Sequence, residues 1–379
     1  MTTDTRPDFR RVRRALMLDG EPDRIALFDT VDRGIMSAWL GKPVSDLASI
    51  VEFRVKAGYD YVPLGVDLWS QLKKAKGGKG APAGQSKQGQ YSLYVEKGMP
   101  GEPLWGSASD RSDDARATEE RVWATEGKGI ITSVKELEDF PWPRVEEMDF
   151  SPFEQLEGLM PQGMKAIAHA GHIFTTVWTL MGLETFSLSL SDDPGLVAAI
   201  FQRAGDIQYQ VVDRVTKFGA VGAVMFPDDI AYTSGLMVSP RHLRKYHFPL
   251  LEQMCALCWK RDKPVIYHSD GKLDVVLEDI IAAGVNALHP IQPNAMDIAD
   301  VKAKVGGRLC LLGNIDLDVL ARGTPSQVEA LVRKNLREIA PGGGYCVGSS
   351  NSIADYVKIE NFNAMRKTVF KYGNYPIGA

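Results

Sequence analysis

The chain of 379 residues contains four cysteines, few for its length, and has no long apolar run. A membrane span needs about 20 consecutive apolar residues, and no secretory leader pattern follows the N-terminal charges. Cys255 and Cys258 form a C-x-x-C pair, but no second pair completes a four-cysteine zinc site, and the surrounding sequence has a helical pattern. The formal net charge of −4 does not indicate nucleic acid or an anionic membrane surface as a partner. We therefore expect a cytoplasmic protein in which these two cysteines pack in the core.

Eight short apolar runs along the chain have the composition of buried parallel strands. They are residues 24–29, 59–65, 164–169, 220–226, 264–268, 285–289, 308–313 and 344–348. Most are followed by apolar residues at helical spacing, such as Val328, Val332 and Leu336. Eight alternations of strand and helix predict an α/β fold, a (β/α)8 TIM barrel built as one domain over residues 1–379.

The segment between the second and third runs is too long for a single crossover. Residues 73–90 are rich in Gly, Lys and Gln, which is typical of a mobile loop. Short alternating segments at 91–94, 120–124 and 129–132 predict a small antiparallel excursion. We expect an insertion after the second strand, at about residues 70–135, placed at the mouth of the barrel.

Four strings in the last third of the chain pass from apolar to polar residues where a strand would end. They are YHSDG (267–271), LHPIQP (288–293), LLGNID (311–316) and GGGYCVGSSNSI (342–353). Ligands of a parallel barrel bind outside the carboxyl ends of its strands. The functional site is therefore expected at these strand ends, with substrate contacts from Asp229, Tyr267, Gln292, Asn314, Asp316, Ser350 and Asn351.

His268 and Asp270 follow one predicted strand, and His289 ends the next. Because neighbouring strands lie about 5 Å apart, two imidazoles and a carboxylate could meet at one point. Asp228 and Asp229 follow another strand as a pair that could share a proton, hold a cation or orient a positively charged group. The alternative is structural, since a lone strand-end histidine is usually hydrogen-bonded within the scaffold and capping would account for one aspartate.

Longer strings resemble a known family. RRVRRALMLDGEPDRIAL, DFPWPRVEEMDF, DDIAYTSGLMVSP and GNIDLDVLARGTPSQVEALV, together with YHSDG, HPIQP and GGGYCVGSSNSI, resemble the uroporphyrinogen decarboxylase superfamily. The resemblance is strongest to its branch of decarboxylase-like proteins and corrinoid-linked methyltransferases, and it covers nearly the whole chain except residues 73–124. It implies a (β/α)8 barrel with one deep mouth.

Two departures from the family restrict the expected chemistry. The decarboxylases have a P-x-W-x-M-R-Q-A-G-R string whose arginines receive the substrate's propionates, whereas residues 25–40 here read IALFDTVDRGIMSAWL. Without that guanidinium clamp, heme-pathway decarboxylation is not expected. The zinc methyltransferases carry H-x-C and a later cysteine; His268 matches the histidine, but Asp270 and Asn351 stand at about the cysteine positions. These harder ligands argue against zinc activation of a thiol.

The resemblance implies a methyltransferase, the demethylase component of a corrinoid system, acting on a small methylated compound such as a methoxylated aromatic. The acceptor would be a corrinoid (cobalamin) held by a partner protein, because the chain lacks a D-x-H-x-x-G string. We expect His268, Asp270 and Asp228 to be catalytic, a metal such as zinc to bind His268, Asp270 and His289, and the chain to form a homodimer.

Two alternatives stay open. A decarboxylase or lyase acting on a small carboxylated substrate would use Asp228 to stabilise a protonated ring, and a basic residue facing the mouth would favour it. A binding module without catalysis is disfavoured, because several buried titratable groups are costly to keep unpaired.

Overall fold

The computed structural model describes residues 6–66, 106–107, 121–122 and 129–377. Its central sheet has eight parallel strands: β1 (Ala26–Leu27), β3 (Tyr61–Gly65), β6 (Lys165–His169), β7 (Val221–Pro227), β10 (Val265–His268), β11 (Ala287–His289), β12 (Cys310–Leu312) and β13 (Tyr345–Val347). They follow one another in the order β1-β13-β12-β11-β10-β7-β6-β3. All eight predicted strand positions are confirmed.

Along the chain, the first and last strands of the central sheet, β1 and β13, lie side by side, and the sheet curls into a TIM-barrel-like wall. Ala26 pairs with Cys346 in a parallel register. At the junction of β1 and β3, the Tyr61 hydroxyl accepts the Asp29 N–H and donates to the Asp29 carbonyl, both at 3.0 Å. One phenol group thus satisfies backbone atoms that a strand ladder would otherwise pair.

Helices cover the outside of the sheet. In chain order they are α1 (Phe9–Leu16), α2 (Arg33–Leu40), α3 (Leu47–Ala57), α4 (Val134–Asp139), α5 (Ser151–Leu159), α6 (Phe174–Met181), α7 (Leu183–Asp192), α8 (Pro194–Val215), α9 (Pro240–His242), α10 (Phe248–Lys260), α11 (Leu277–Ala282), α12 (Ile298–Val305), α13 (Leu317–Arg322), α14 (Pro325–Glu338) and α15 (Ile359–Tyr372). A 3-10 turn spans Val145–Glu147, and a π turn, Leu243–His247, joins α9 to α10. Within the described part of the chain, no helix combines the length and apolar character that a bilayer crossing requires.

Helix α14 illustrates how the local sequence sets these elements. Thr324 and Gln327 form a capping box around Pro325 at the first helical position. Val328 and Val332, four residues apart, are fully buried, as the predicted helical spacing requires.

The cysteines confirm the expectation of core packing. Cys255 and Cys258 are buried in α10, and burial raises the pKa of both thiols. Cys310 in β12 and Cys346 in β13 are buried as well. All four thiols therefore belong to the apolar interior.

The insertion is described only in part. β4 (Gly106–Ser107) and β5 (Arg121–Val122) pair as antiparallel strands, which agrees with the prediction at 120–124. The segment 129–132 does not join them, because Gly129 and Ile130 donate their N–H groups to carbonyls at the end of α6, at 2.8 and 2.7 Å. The predicted loop 73–90 and segment 91–94 lie outside the described residues.

Short strands extend the wall above the carboxyl ends of the barrel. β2 (Thr30–Val31) pairs with β14 (Ser352–Ile353), and β8 (Ala231–Tyr232) forms a hairpin with β9 (Gly235–Leu236). Gly271 sits against this hairpin at φ +90°, where a Cβ atom would lie 2.6 Å from the Tyr232 carbonyl oxygen. The YHSDG string therefore needs glycine at its last position.

Candidate active site

Strands β10 and β11 place His268 and His289 next to each other as a register pair. Their Nδ1 atoms are 2.7 Å apart, and their rings stack with centroids 4.9 Å apart. His268 is partly exposed, whereas His289 is buried. The expected meeting of strand-end imidazoles is therefore present, and the two rings are joined by a hydrogen bond.

Two carboxylates lie on the solvent side of His268. Asp229 Oδ1 is 3.7 Å from His268 Nε2, and the same oxygen accepts the Asp270 backbone N–H at 2.9 Å. Asp270 Oδ2 accepts a hydrogen bond from Asn351 Nδ2 at 2.5 Å. We call Asp229, His268 and Asp270 the mouth triad. Each offers one ligand atom, and these atoms all lie within 4.8 Å of one another.

The mouth triad fits a divalent cation that accepts mixed nitrogen and oxygen ligands. Three such ligands leave further coordination positions for water or substrate. The four thiols lie in the core, so a site with cysteine ligands does not match this chain. The sequence predicted His289 as the third metal ligand beside His268 and Asp270, but Asp229 is the third member of the triad. His289 does not reach it, because its Nδ1 faces His268 and its Nε2 is buried.

Gln292 supports the loop that carries Asp270. Its Oε1 accepts the Gly271 N–H at 2.8 Å. Asn351 holds the Asp270 carboxylate from the other side, so the main-chain and side-chain positions of Asp270 are both constrained. Gln292 and Asn351, both predicted to contact the substrate, therefore support the mouth triad by holding Asp270.

Asp228 points away from its neighbour Asp229 and is 1% exposed. Its carboxylate accepts the backbone N–H groups of Ile173, Phe174 and Thr175, at 2.9, 2.8 and 2.7 Å, where α6 begins. Burial raises the pKa of Asp228 to about 7, against the opposing effect of these donors. Its contacts are those of a residue that positions a helix, and its catalytic role stays a prediction.

Tyr267 also has its partners inside the scaffold. Its hydroxyl donates to the Asp228 carbonyl at 3.0 Å and lies 3.0 Å from Nε2 of His247. Because the hydroxyl proton goes to the carbonyl, Nε2 of His247 must be the donor to the phenol oxygen. Burial lowers the pKa of His247 to about 3, which keeps this imidazole neutral.

Three further residues that were predicted to contact the substrate form hydrogen bonds within the protein. Asn314 accepts a hydrogen bond from Asn335 at 2.8 Å and is 8% exposed. The Asp316 side chain caps α13 by accepting the Asp318 N–H at 2.7 Å, and Ser350 Oγ accepts the N–H of the first residue of α13 at 3.1 Å. Their roles in substrate binding stay predictions.

Two histidines that the sequence prediction omitted belong to the same region. His169 ends β6, and His172 follows three residues later. Burial, reinforced by His268 and Arg54, lowers the pKa of His169 to about 3, and burial lowers that of His172 well below its usual value. The sequence could have indicated His169 as a site residue, because the predicted strand 164–169 also ends in histidine.

Asp29 and Arg54 lie deeper in the barrel. Burial raises the pKa of Asp29 to about 6; its carboxylate accepts the Ser349 N–H at 2.7 Å and the Tyr59 hydroxyl at 2.9 Å. Arg54 donates to the Asp29 carbonyl and stacks over the rings of Tyr59 and Tyr61, with no exposed surface. The guanidinium of Arg54 is therefore fully buried, and its Nε and Nη2 have no hydrogen-bond partner among the described residues.

The fold and the strand-end residues define a TIM-barrel-like protein with a polar site at its mouth. The family model of uroporphyrinogen decarboxylase (URO-D) matches residues 154–372, more than half of the chain. The chain belongs to this family.

Two known proteins illustrate the relationship. A uroporphyrinogen decarboxylase from Idiomarina loihiensis is 25% identical over 185 residues, which is 48% of this chain and 49% of that protein. The chain thus matches about half the length of this curated relative. A methyltransferase from Methanosarcina mazei superposes with a TM-score of 0.65 and 15% identity, over 96% of this chain and 98% of that chain. At this identity the second likeness shows the fold alone.

Proposed function

We propose that this protein is a methyltransferase that removes a methyl group from a small methylated compound and passes it to a corrinoid carried by a separate protein. The observation that carries the proposal is the mouth triad, in which one imidazole and two carboxylates converge at the carboxyl ends of the strands. Demethylation of an ether leaves negative charge on oxygen, and this site offers both a proton donor and ligands for a cation.

The charge distribution of the site supports a cation at the mouth triad. Burial lowers the pKa of His169, His172 and His289 and keeps these three imidazoles neutral. Asp229 and Asp270 each offer a carboxylate oxygen to the mouth triad, and such oxygens favour a divalent cation at this point. A divalent cation bound there would polarise the heteroatom that loses the methyl group.

The residues of this chain would orient the methyl donor and handle the proton. Without a cation, His268 Nε2, which lies 3.7 Å from Asp229 Oδ1, would deliver a proton to the departing heteroatom; with a cation bound, the same nitrogen would be one of its ligands. Asn351 and Gln292 would keep Asp270 in place during the reaction. The cobalt of the partner's corrinoid would supply the nucleophile that accepts the methyl group.

The proposal is tested by measuring metal content and methyl transfer on the same purified protein. Methoxylated aromatics and methylated amines are offered as donors, with free cob(I)alamin as acceptor. We expect about one equivalent of metal per chain and formation of methylcobalamin. Asp270→Asn should lose both, while Asp297→Asn, which alters an aspartate that caps α12 by accepting the Ala299 N–H, should keep both. Metal-free protein that still transfers methyl groups would reduce the role of the mouth triad to acid catalysis, and wild-type protein without transfer to cobalt would refute the proposal.

A second proposal is decarboxylation of a small carboxylated substrate. The family membership and the curated relative support it. Such a substrate calls for a basic residue facing the mouth, but Arg54, the cation whose charge acts on His169, is fully buried. Release of CO2 from a panel of aromatic carboxylic acids, with no methyl transfer to cobalt, would select this alternative.

A further inference from the structure

His289 reaches the mouth only through His268. It is 1% exposed, its Nδ1 is 2.7 Å from Nδ1 of His268, and the ring of Phe28 lies 5.1 Å away. Its Nε2 is buried and has no hydrogen-bond partner among the described residues. Any contribution of His289 to the chemistry must therefore pass through the hydrogen bond to His268.

The distance between the two Nδ1 atoms allows one proton between them. One nitrogen must carry hydrogen and the other must present a lone pair. If His268 is the donor, a neutral His268 directs the lone pair of Nε2 towards Asp229 Oδ1 at 3.7 Å, and His289 carries a buried Nε2–H. If His289 is the donor, His268 carries Nε2–H towards Asp229, and only a lone pair is buried on Nε2 of His289.

The second arrangement is favoured for two reasons. A buried N–H group without an acceptor is rarer than an unpaired acceptor in folded proteins. In addition, an N–H facing a carboxylate oxygen is attracted to it, whereas a lone pair facing the same oxygen is repelled.

We propose that His289 is a positioning residue whose Nδ1–H fixes His268 as the Nε2–H tautomer in the metal-free protein. The assignment requires His268 to belong to the site, but it does not depend on methyl transfer. A cation that enters the mouth triad must displace the Nε2 proton of His268. His268 then carries its proton on Nδ1 and donates it to His289, so the direction of the hydrogen bond reverses.

Nitrogen-15 NMR of the metal-free protein labelled at histidine tests this assignment directly. The signals of the pair are identified by their loss in His268→Gln and His289→Asn. We expect the proton on Nε2 in His268 and on Nδ1 in His289. The opposite placement, or a fast average of both tautomers in wild-type protein, overturns the inference.

Zinc titration gives a second readout. In His289→Phe the zinc-bound state loses the acceptor for the Nδ1–H of His268, and we expect the affinity for Zn²⁺ to fall about 10- to 100-fold. His289→Asn retains an amide that can accept at the same place and should restore most of the affinity. Tyr345→Phe, which removes a buried hydroxyl that accepts from Asn335, controls for the general loss of one hydrogen bond and should bind zinc normally.

The outcomes separate this inference from the proposed function. Equal zinc affinity in wild-type protein and His289→Phe overturns the proposed reversal, in which His289 accepts the Nδ1–H of His268 in the zinc-bound protein. Failure of the wild-type protein to bind zinc removes the metal from the proposed function, and the tautomers of the metal-free protein still decide the role of His289.

Discussion

Replacing Tyr267 with Phe separates the scaffold beneath the site from the site itself. Tyr267 and His268 are neighbours on β10, and their side chains point to opposite faces of the strand. The Tyr267 hydroxyl lies in a fully buried network with the Asp228 carbonyl and His247, both at 3.0 Å. Tyr267→Phe keeps the ring and removes both hydrogen bonds.

The expected loss of stability follows from these two contacts. His247 is 1% exposed, so its Nε2–H would be left without an acceptor, at a cost of about 1–3 kcal/mol. Loss of the bond to the carbonyl adds about 0.5–1.5 kcal/mol. The sum, about 1.5–4.5 kcal/mol, is a large part of the stability of an ordinary domain.

Urea denaturation followed by circular dichroism measures this change, and a substrate titration measures the Michaelis constant. Tyr267→Phe should lower the free energy of unfolding by about 1.5–4.5 kcal/mol and leave the Michaelis constant unchanged at a temperature where the variant is folded. His268→Gln is the matched control, expected to lose most activity and no more than about 1–2 kcal/mol of stability. A Tyr267→Phe protein with wild-type stability and weakened substrate binding would show that Tyr267 contacts the substrate, as the sequence predicted.

Two further predictions address pH and the support of the mouth triad. Burial lowers the pKa of His247 to about 3 from 6.5, so the unfolded chain alone takes up this proton as pH falls below 6.5, and wild-type stability decreases. The glutamine in His247→Gln does not titrate. Urea denaturation should therefore show that the difference in unfolding free energy between wild type and this variant shrinks by about 1.4 kcal/mol from about pH 7.5 to 5.5. A difference that stays constant with pH would mean that His247 is not held neutral. Gln292→Leu removes the acceptor of the Gly271 N–H, and metal affinity measured by calorimetry should fall about tenfold or more; unchanged affinity would show that Gln292 does not support Asp270.

Much of the barrel could be predicted from the sequence. Eight apolar runs separated by helical patterns are a local signal, and each strand of the central sheet coincides with one of them. The burial of Cys255 and Cys258 followed from their helical context in the same way. The pairing of His268 with His289 was also accessible, because consecutive strands of such a barrel are neighbours and both residues end their strands.

The roles of adjacent polar residues could not be predicted. Asp228 and Asp229 are equivalent as a sequence pair, yet one accepts three N–H groups at the start of α6 and the other faces His268. That difference depends on where α6 begins, more than 50 residues earlier in the chain. The insertion was only partly predictable, because 129–132 has alternating residues but is bonded to the end of α6.

The sequence by itself determined that polar side chains would collect at the carboxyl ends of a parallel barrel, because apolar runs of strand length must be buried and their polar ends must emerge together. Only the tertiary structure decided which of these side chains meet. It joined Asp229 and Asp270 to His268, placed His289 behind them and turned Asp228 and Tyr267 inward. The physical reason is that hydrogen-bond partners and burial are properties of neighbours in space, and these neighbours come from strands and helices far apart in the chain.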